Sequence, residues 1–216
     1  MTLRIIGLDP GLNRTGWGDI DVSGTDYVRV ESGVISVPKG DLSARLGAIV
    51  RELTAVIART KPSLASAERV FVNMNPQSTL MLGQARGAAL AAADLAGLRV
   101  EEFTPSEIKE AVTGSGRADK EQIQRMMGML LKITEPLRPD EADALACAVC
   151  CANAVRLRAL EQSGGTNRPY ATARRGRTAA GARSAWTSFL TGKGQSGSDD
   201  FTDGSLKRRR RRFSST

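Results

Sequence analysis

Three strand-like runs follow one another in the first 37 residues, with no helical stretch between them. The first, 3–8, is short and apolar and is closed by the turn Asp9-Pro10-Gly11. Gly16-Trp17-Gly18 and Ser23-Gly24 punctuate two more, around 15–22 and 26–37. The pattern then changes period. Leu42, Leu46, Ile49, Val50, Leu53, Val56 and Ile57 fall at helical spacing, so 41–60 reads as an amphipathic helix stopped by Pro62. A fourth strand follows at 64–71, an Ala- and Leu-rich helix at 77–97, and a fifth strand at 99–103. Strands in direct succession form an antiparallel meander, and a β-α-β-α-β run adds parallel strands. The order therefore predicts an α/β fold: a mixed five-stranded sheet flanked by helices on both faces.

The remainder of the body is helical. Thr104-Pro105-Ser106-Glu107 carries an N-cap, a first-turn proline and a glutamate three residues on. Ile123, Met126, Met127, Leu130 and Leu131 form one helical stripe, read as core packing. Pro139 opens a last helix through about Leu160. Within it Cys147, Cys150 and Cys151 lie at i, i+3 and i+4; no fourth ligand accompanies them, and small buried residues are the simpler reading.

Composition changes near Ser163. Residues 1–163 hold 19 Lys/Arg and 20 Asp/Glu, whereas 164–216 hold 12 Lys/Arg and 3 Asp, so the whole net charge of +8 originates in the tail. That tail has two Leu, no Ile, Val or Met, and a Lys207-to-Arg212 basic run. Such a segment buries too little apolar surface to offset its ordering entropy. The expectation is one domain over 1–163 and a basic, disordered tail over 164–216, with a weak apolar anchor at Trp186, Phe189 and Leu190. The basic run suits sequence-independent contact with phosphates, although a solvated tail with no specific partner has the same composition. No apolar run is long enough to span a membrane and the N-terminus has no signal-peptide layout, so the expected location is cytoplasmic.

The chain has no histidine. A Ser-His-Asp triad, a Cys-His pair and a His-ligated zinc are thereby excluded. Any hydrolytic chemistry must run on carboxylates, Lys, Ser/Thr or a metal held by oxygen. Four carboxylates stand out. Asp9 ends the first strand, and Glu68 lies near the end of the fourth. Asp140 and Asp143 sit at i and i+3 on the last helix, roughly 60° apart around its axis, among small alanines. Singly these are a turn residue, a solvated strand end and a surface pair. Together they are a candidate cluster. Two unit charges ~4 Å apart at an effective dielectric of ~20 repel by ~4 kcal/mol. Four would raise their own pKa values or require cations. Hard divalent ions prefer oxygen ligands, and two of them ~3.5–4 Å apart can activate water and stabilise a leaving oxygen.

The four acids lie within longer segments that are themselves distinctive. Ile6-Gly7-Leu8-Asp9-Pro10-Gly11, Ala67-Glu68-Arg69-Val70-Phe71 and Asp140-Glu141-Ala142-Asp143-Ala144-Leu145-Ala146, together with Leu82-Gly83-Gln84-Ala85-Arg86-Gly87, resemble the RuvC family of bacterial Holliday-junction resolvases, over about 1–160. The resemblance implies an RNase H-like fold, a homodimer, and a Mg²⁺-dependent endonuclease with two ions per active site. It implies paired nicks in four-way DNA junctions that leave 5′-phosphate and 3′-hydroxyl ends, and a branch-migration motor complex as partner. It also implies that Asp9, Glu68, Asp140 and Asp143 are the catalytic and metal-binding acids. Lys109 and Lys120 would contact DNA near the scissile phosphate, and Phe71 would stack on an unpaired base. Gly83 to Gly87, with Arg86, resembles a helix start that faces either DNA or the dimer partner. The tail departs from the family pattern.

Other readings are weaker. Asp140-Glu141-Ala142-Asp143 spells a helicase box, but the chain has no G-x-x-x-x-G-K-[ST] loop to hold phosphates. The related actin-like ATPases need two lobes, and this body is too short for them. An RNase H-like nuclease acting on RNA, and a non-catalytic junction scaffold, stay open at this point.

Overall fold

The structure, a computed structural model, describes residues 2–69 and 75–162. Strands β1 (Leu3–Asp9), β2 (Arg14–Ser23) and β3 (Asp26–Ser36) run as an antiparallel meander. Helix α1 (Leu42–Thr60) leads to β4 (Leu64–Glu68), α2 (Pro76–Leu95) and β5 (Val100–Phe103). Helices α3 (Pro105–Thr113), α4 (Lys120–Leu130) and α5 (Pro139–Gln162) complete the described chain. The strand order is β3-β2-β1-β4-β5, with β4 parallel to β1 and β5 parallel to β4. The expected mixed sheet is present, with β1 at its centre.

Because β1 is covered on both faces, its residues are apolar without alternation. Ile5, Ile6 and Leu8 are all fully buried. Ile5 joins the core beneath α3, α4 and α5, together with Leu64, Phe103, Ile108, Ile123 and Met127. Ile6 and Leu8 join the opposite core with Trp17, Ile49, Leu53, Ala85 and Ala89 under α1 and α2. The stripe Ile123, Met127 and Leu131 is buried as core, and the three cysteines are buried and free. No helix among the described residues is long and apolar enough to cross a membrane.

Helix α5 is apolar on nearly every side, with Ala144 through Ala152 buried, as befits a helix enclosed between sheet and helices. It approaches the sheet very closely. A Cβ on Gly7 would overlap the Ala144 carbonyl, and one on Gly16 would overlap the Asp140 carbonyl. These two strand glycines, against which the backbone of Ala144 and Asp140 presses, make the track on which α5 rests.

Two expectations need adjustment. The fourth strand ends at Glu68 rather than 71. Helix α2 begins at Pro76, capped by Asn75, so Gly83 to Gly87 lies inside the helix and not at its start. Phe71, the boundary at 163, the tail 164–216 and its Trp186–Leu190 anchor lie outside the described residues.

Candidate active site

The fold brings the four acids to one end of the sheet. Asp9 is the last residue of β1, and Glu68 the last of β4. The register Leu8↔Ala67 makes them lateral neighbours on adjacent strands. Their side chains lie on the same face as Ile5 and Leu64, the face on which α5 packs. Gly16 is the cross-strand partner of Asp9, and the backbone of Asp140 presses on it. The first turn of α5 is thereby held over the end of β1, with Asp143 one turn further on.

The helix sorts its acids by direction. Glu141 accepts a hydrogen bond from the Ser32 hydroxyl at 2.6 Å and faces β3, with Arg29 4.0 Å away. Ala142 is buried. That leaves Asp140 and Asp143 for the cluster with Asp9.

The electrostatics of these carboxyls accords with that placement. The Asp9 carboxyl is pushed up to about 7, first by burial, then by the negative charges of Asp143, Glu68 and Asp140, with Lys120 opposing. Burial and Asp143 raise Glu68, whereas Lys109 and Lys120 pull it down. Asp143 is raised mainly by burial, against Lys120, which lies 3.6 Å from it. Both lysines singled out in the sequence thus stand within electrostatic reach of the acids. Lys109 projects from α3 and Lys120 is the first residue of α4. Both helices begin with a reciprocal capping box, Thr104 with Glu107 and Asp119 with Gln122. Each cation is therefore mounted on a helix with a fixed start.

Arg14, not singled out from the sequence, adds a third cation 3.8 Å from Asp140 at the rim. Its position after the turn gave no periodic signal. Arg86 is placed differently from a free DNA contact. Its Nε donates to the Glu68 carbonyl at 3.1 Å, and its Nη2 pairs with Glu102. The guanidinium is turned inward, toward β4 and β5.

Among the described residues, no three His, Cys, Asp or Glu side chains stand close enough, as placed, to enclose one ion. The four acids form an electrostatic cluster and not a closed chelate. Their chemistry nonetheless fits a hard divalent cation. The donors are all oxygen, and Asp9 carries a pKa elevation that a nearby dication would reverse.

Residues 5–151, a span that contains all four acids, match the family described as crossover junction endodeoxyribonuclease RuvC. This chain belongs to the RuvC family. A RuvC relative from Burkholderia pseudomallei (strain 668) is 50% identical over 151 residues, covering 70% of this chain and 84% of the relative. Another, from Methylobacillus flagellatus, is 48% identical over 159 residues, covering 71% and 88%. Among solved structures, Thermus thermophilus RuvC in complex with a Holliday junction substrate superposes with a TM-score of 0.68 at 30% identity, covering 72% of this chain and 96% of that one. The RuvC-family fold is RNase H-like, and the mixed sheet with its flanking helices is that fold in this chain.

Proposed function

We propose that this RuvC-family chain resolves four-way DNA junctions by paired, symmetric nicks during recombination and repair. The observation that carries the reading is geometric: Asp9 and Glu68 end adjacent strands, and the first turn of α5, with Asp140 and Asp143, packs over the Gly16 partner of Asp9, so that all three other acids bear on Asp9. The family match supplies the substrate class, since a relative at 30% identity was solved on a Holliday junction.

In this reading the four acids hold two Mg²⁺ ions, whose chemistry when bound is to activate water and to stabilise the leaving 3′-oxygen of an in-line displacement. Asp9 and Glu68, fixed at adjacent strand ends, provide rigid oxygen donors from the sheet. Asp140 and Asp143 provide them from the helix above. Burial excludes competing water and strengthens each charge interaction. Lys120, beside Asp143, and Lys109 place positive charge where the scissile phosphate's charge grows, and favour binding of the backbone. The products are 5′-phosphate and 3′-hydroxyl ends. Phe71 stacks on an unpaired base at the junction centre.

Two nicks require two sites. Helix α2 presents an outward face with Leu80 58% exposed, Leu95 80% exposed, and Gly83 and Gly87 with open space above them. A second copy packed on this face by a two-fold axis gives two sites related by symmetry, matching the symmetry of the junction. A branch-migration motor is the partner that supplies mobile junctions, and the cytoplasm the location. The tail 164–216 is a separate basic segment that adds affinity for phosphates.

Incubation with Mg²⁺ and, in parallel, a four-way DNA junction, a linear duplex and an RNA/DNA hybrid tests this. Selective cutting of the junction at opposed strands is expected. Preferential cutting of the hybrid would move the reading to an RNA-processing nuclease, and binding without cutting would make the chain a scaffold.

A further inference from the structure

The Glu68 carboxylate needs a fixed backbone, yet β4 ends at that residue. Toward β5 the ladder begins with the Ala65 amide donating to the Arg99 carbonyl just before that strand at 3.0 Å, and it continues one bond past Glu68, the Arg69 amide donating to the Phe103 carbonyl at 2.7 Å. Successive residues of a strand turn their backbone groups to opposite neighbours, so the Glu68 carbonyl is directed toward β1. The β1–β4 register, carried one step beyond Leu8↔Ala67, brings Pro10 to the place of the next donor. Proline has no N–H. The ladder therefore leaves the carbonyl of a site residue without a backbone partner, and the Nε of Arg86 supplies the missing hydrogen bond at 3.1 Å.

The same guanidinium is anchored on Glu102. Glu102 is the register partner of Ala67, so it lies on the α2 face of the sheet, one residue before Phe103. The Arg86 side chain is only 19% exposed. A planar fork between two acceptors is a fixed brace, unlike a long side chain left free for solvent or phosphate.

We infer that Arg86, braced by Glu102, is a positioning residue that holds the end of β4 so that Glu68 faces Asp9 and the first turn of α5. It acts through the Glu68 backbone and does not bind DNA. This inference rests on the proposed nuclease reading for its activity readout, but not for its cation readout.

The test uses the full chain with Arg86→Ala, Arg86→Lys and Glu102→Gln. Junction affinity and its salt dependence are measured without added Mg²⁺. Cutting is measured at saturating junction with Mg²⁺, and the Mg²⁺-induced rise in melting temperature is measured without DNA. A positioning role predicts junction Kd within about twofold of wild type and an unchanged salt slope. It predicts saturating cutting by Arg86→Ala reduced about tenfold or more, because small misplacements of a reacting group are costly. Glu102→Gln should fall in the same direction by less, Arg86→Lys should recover part of the loss, and the Mg²⁺-induced rise should shrink in Arg86→Ala. Weaker junction binding with a flatter salt slope and an unchanged saturating rate would overturn the inference and make Arg86 a DNA contact. An unchanged saturating rate with unchanged binding would overturn it too. If Arg86→Ala fails to fold, the same readouts on Glu102→Gln and Arg86→Lys decide. If the wild type cuts no junction, the nuclease reading fails, and the Mg²⁺ shift still reports on the brace.

Discussion

Two aspartates on neighbouring strands reach similar pKa values in different surroundings. Asp9 shares its surroundings with three other acids at the sheet end, and its pKa is pushed up to about 7. Burial is the largest cause for both: with no acid cluster around it comparable to the one that adds to Asp9, Asp19, fully buried on β2, also reaches about 7. Neither of its carboxyl oxygens has a hydrogen-bond partner. The Thr60 hydroxyl and Arg4 both lie near enough to lower its pKa, yet the Arg4 guanidinium is committed to Asp21 at 2.8 Å and to the Thr60 carbonyl at 2.6 Å. The single Thr60 hydroxyl proton is donated to the Val56 carbonyl at 3.0 Å, so it does not satisfy Asp19 either. Glu31 and Asp21 push the Asp19 pKa further up. The sign follows from proton linkage: the folded state binds the Asp19 proton more tightly than the unfolded state does. Its contribution is full below pH ~4 and is lost as pH rises to about 7. Asp19→Asn should therefore match wild type in stability near pH 4 and exceed it by a few kcal/mol, at most ~4, at pH 8. Urea melts at both values check this, and an equal gain at both would contradict it.

At the level of elements, the site depends on how closely α5 approaches the sheet. Gly16→Ala inserts a methyl group where the Asp140 carbonyl lies. Overpacking of this kind costs about 1–3 kcal/mol, and relief requires α5 to lift away from β1 and β2. Cutting should fall more than stability does, because lifting α5 carries Asp140 and Asp143 off Asp9. Activity lost only in proportion to unfolded protein would contradict this. The helix that presents Lys120 is fixed by its cap: Asp119→Ala should cost about 1 kcal/mol, and should lower cutting at saturating junction while leaving the fold intact by circular dichroism. Much of this level was legible in the sequence. Periodicity locates α1, Ala- and Leu-rich composition locates α2, and the Thr104–Glu107 pattern locates the start of α3. Val70 and Phe71 resume apolar character after Arg69, so the sequence suggests a fourth strand longer than the one that ends at Glu68. Strand glycines reveal nothing of their purpose until the helix that crosses them is known. The bulge between Asp19 and Ile20, which leaves Asp19 opposite Glu31, is likewise a property of pairing and not of either strand alone.

For the molecule as a whole, the site was legible because its acids occupy positions that local sequence defines: the ends of two strands and one face of a helix. The residues that support them were not. Arg86 meets Glu68 across 18 positions of sequence, and Arg14 meets Asp140 only because α5 returns to β2. Neither leaves a periodic trace. The tail's 12 Lys/Arg predict that a chain ending at Ser163 binds junctions with a salt slope shallower by at least ~1 per log unit, since fewer phosphates are neutralised. An equal slope would leave the tail without a role in binding. The central claim is that four acids from three distant segments act as one hydrolytic centre. The most direct test is junction cutting by Asp9→Asn with Mg²⁺, alongside its junction affinity. Affinity close to wild type is expected, with cutting reduced about a hundredfold or more. Mg²⁺-dependent cutting at the wild-type rate, with binding intact, would contradict it.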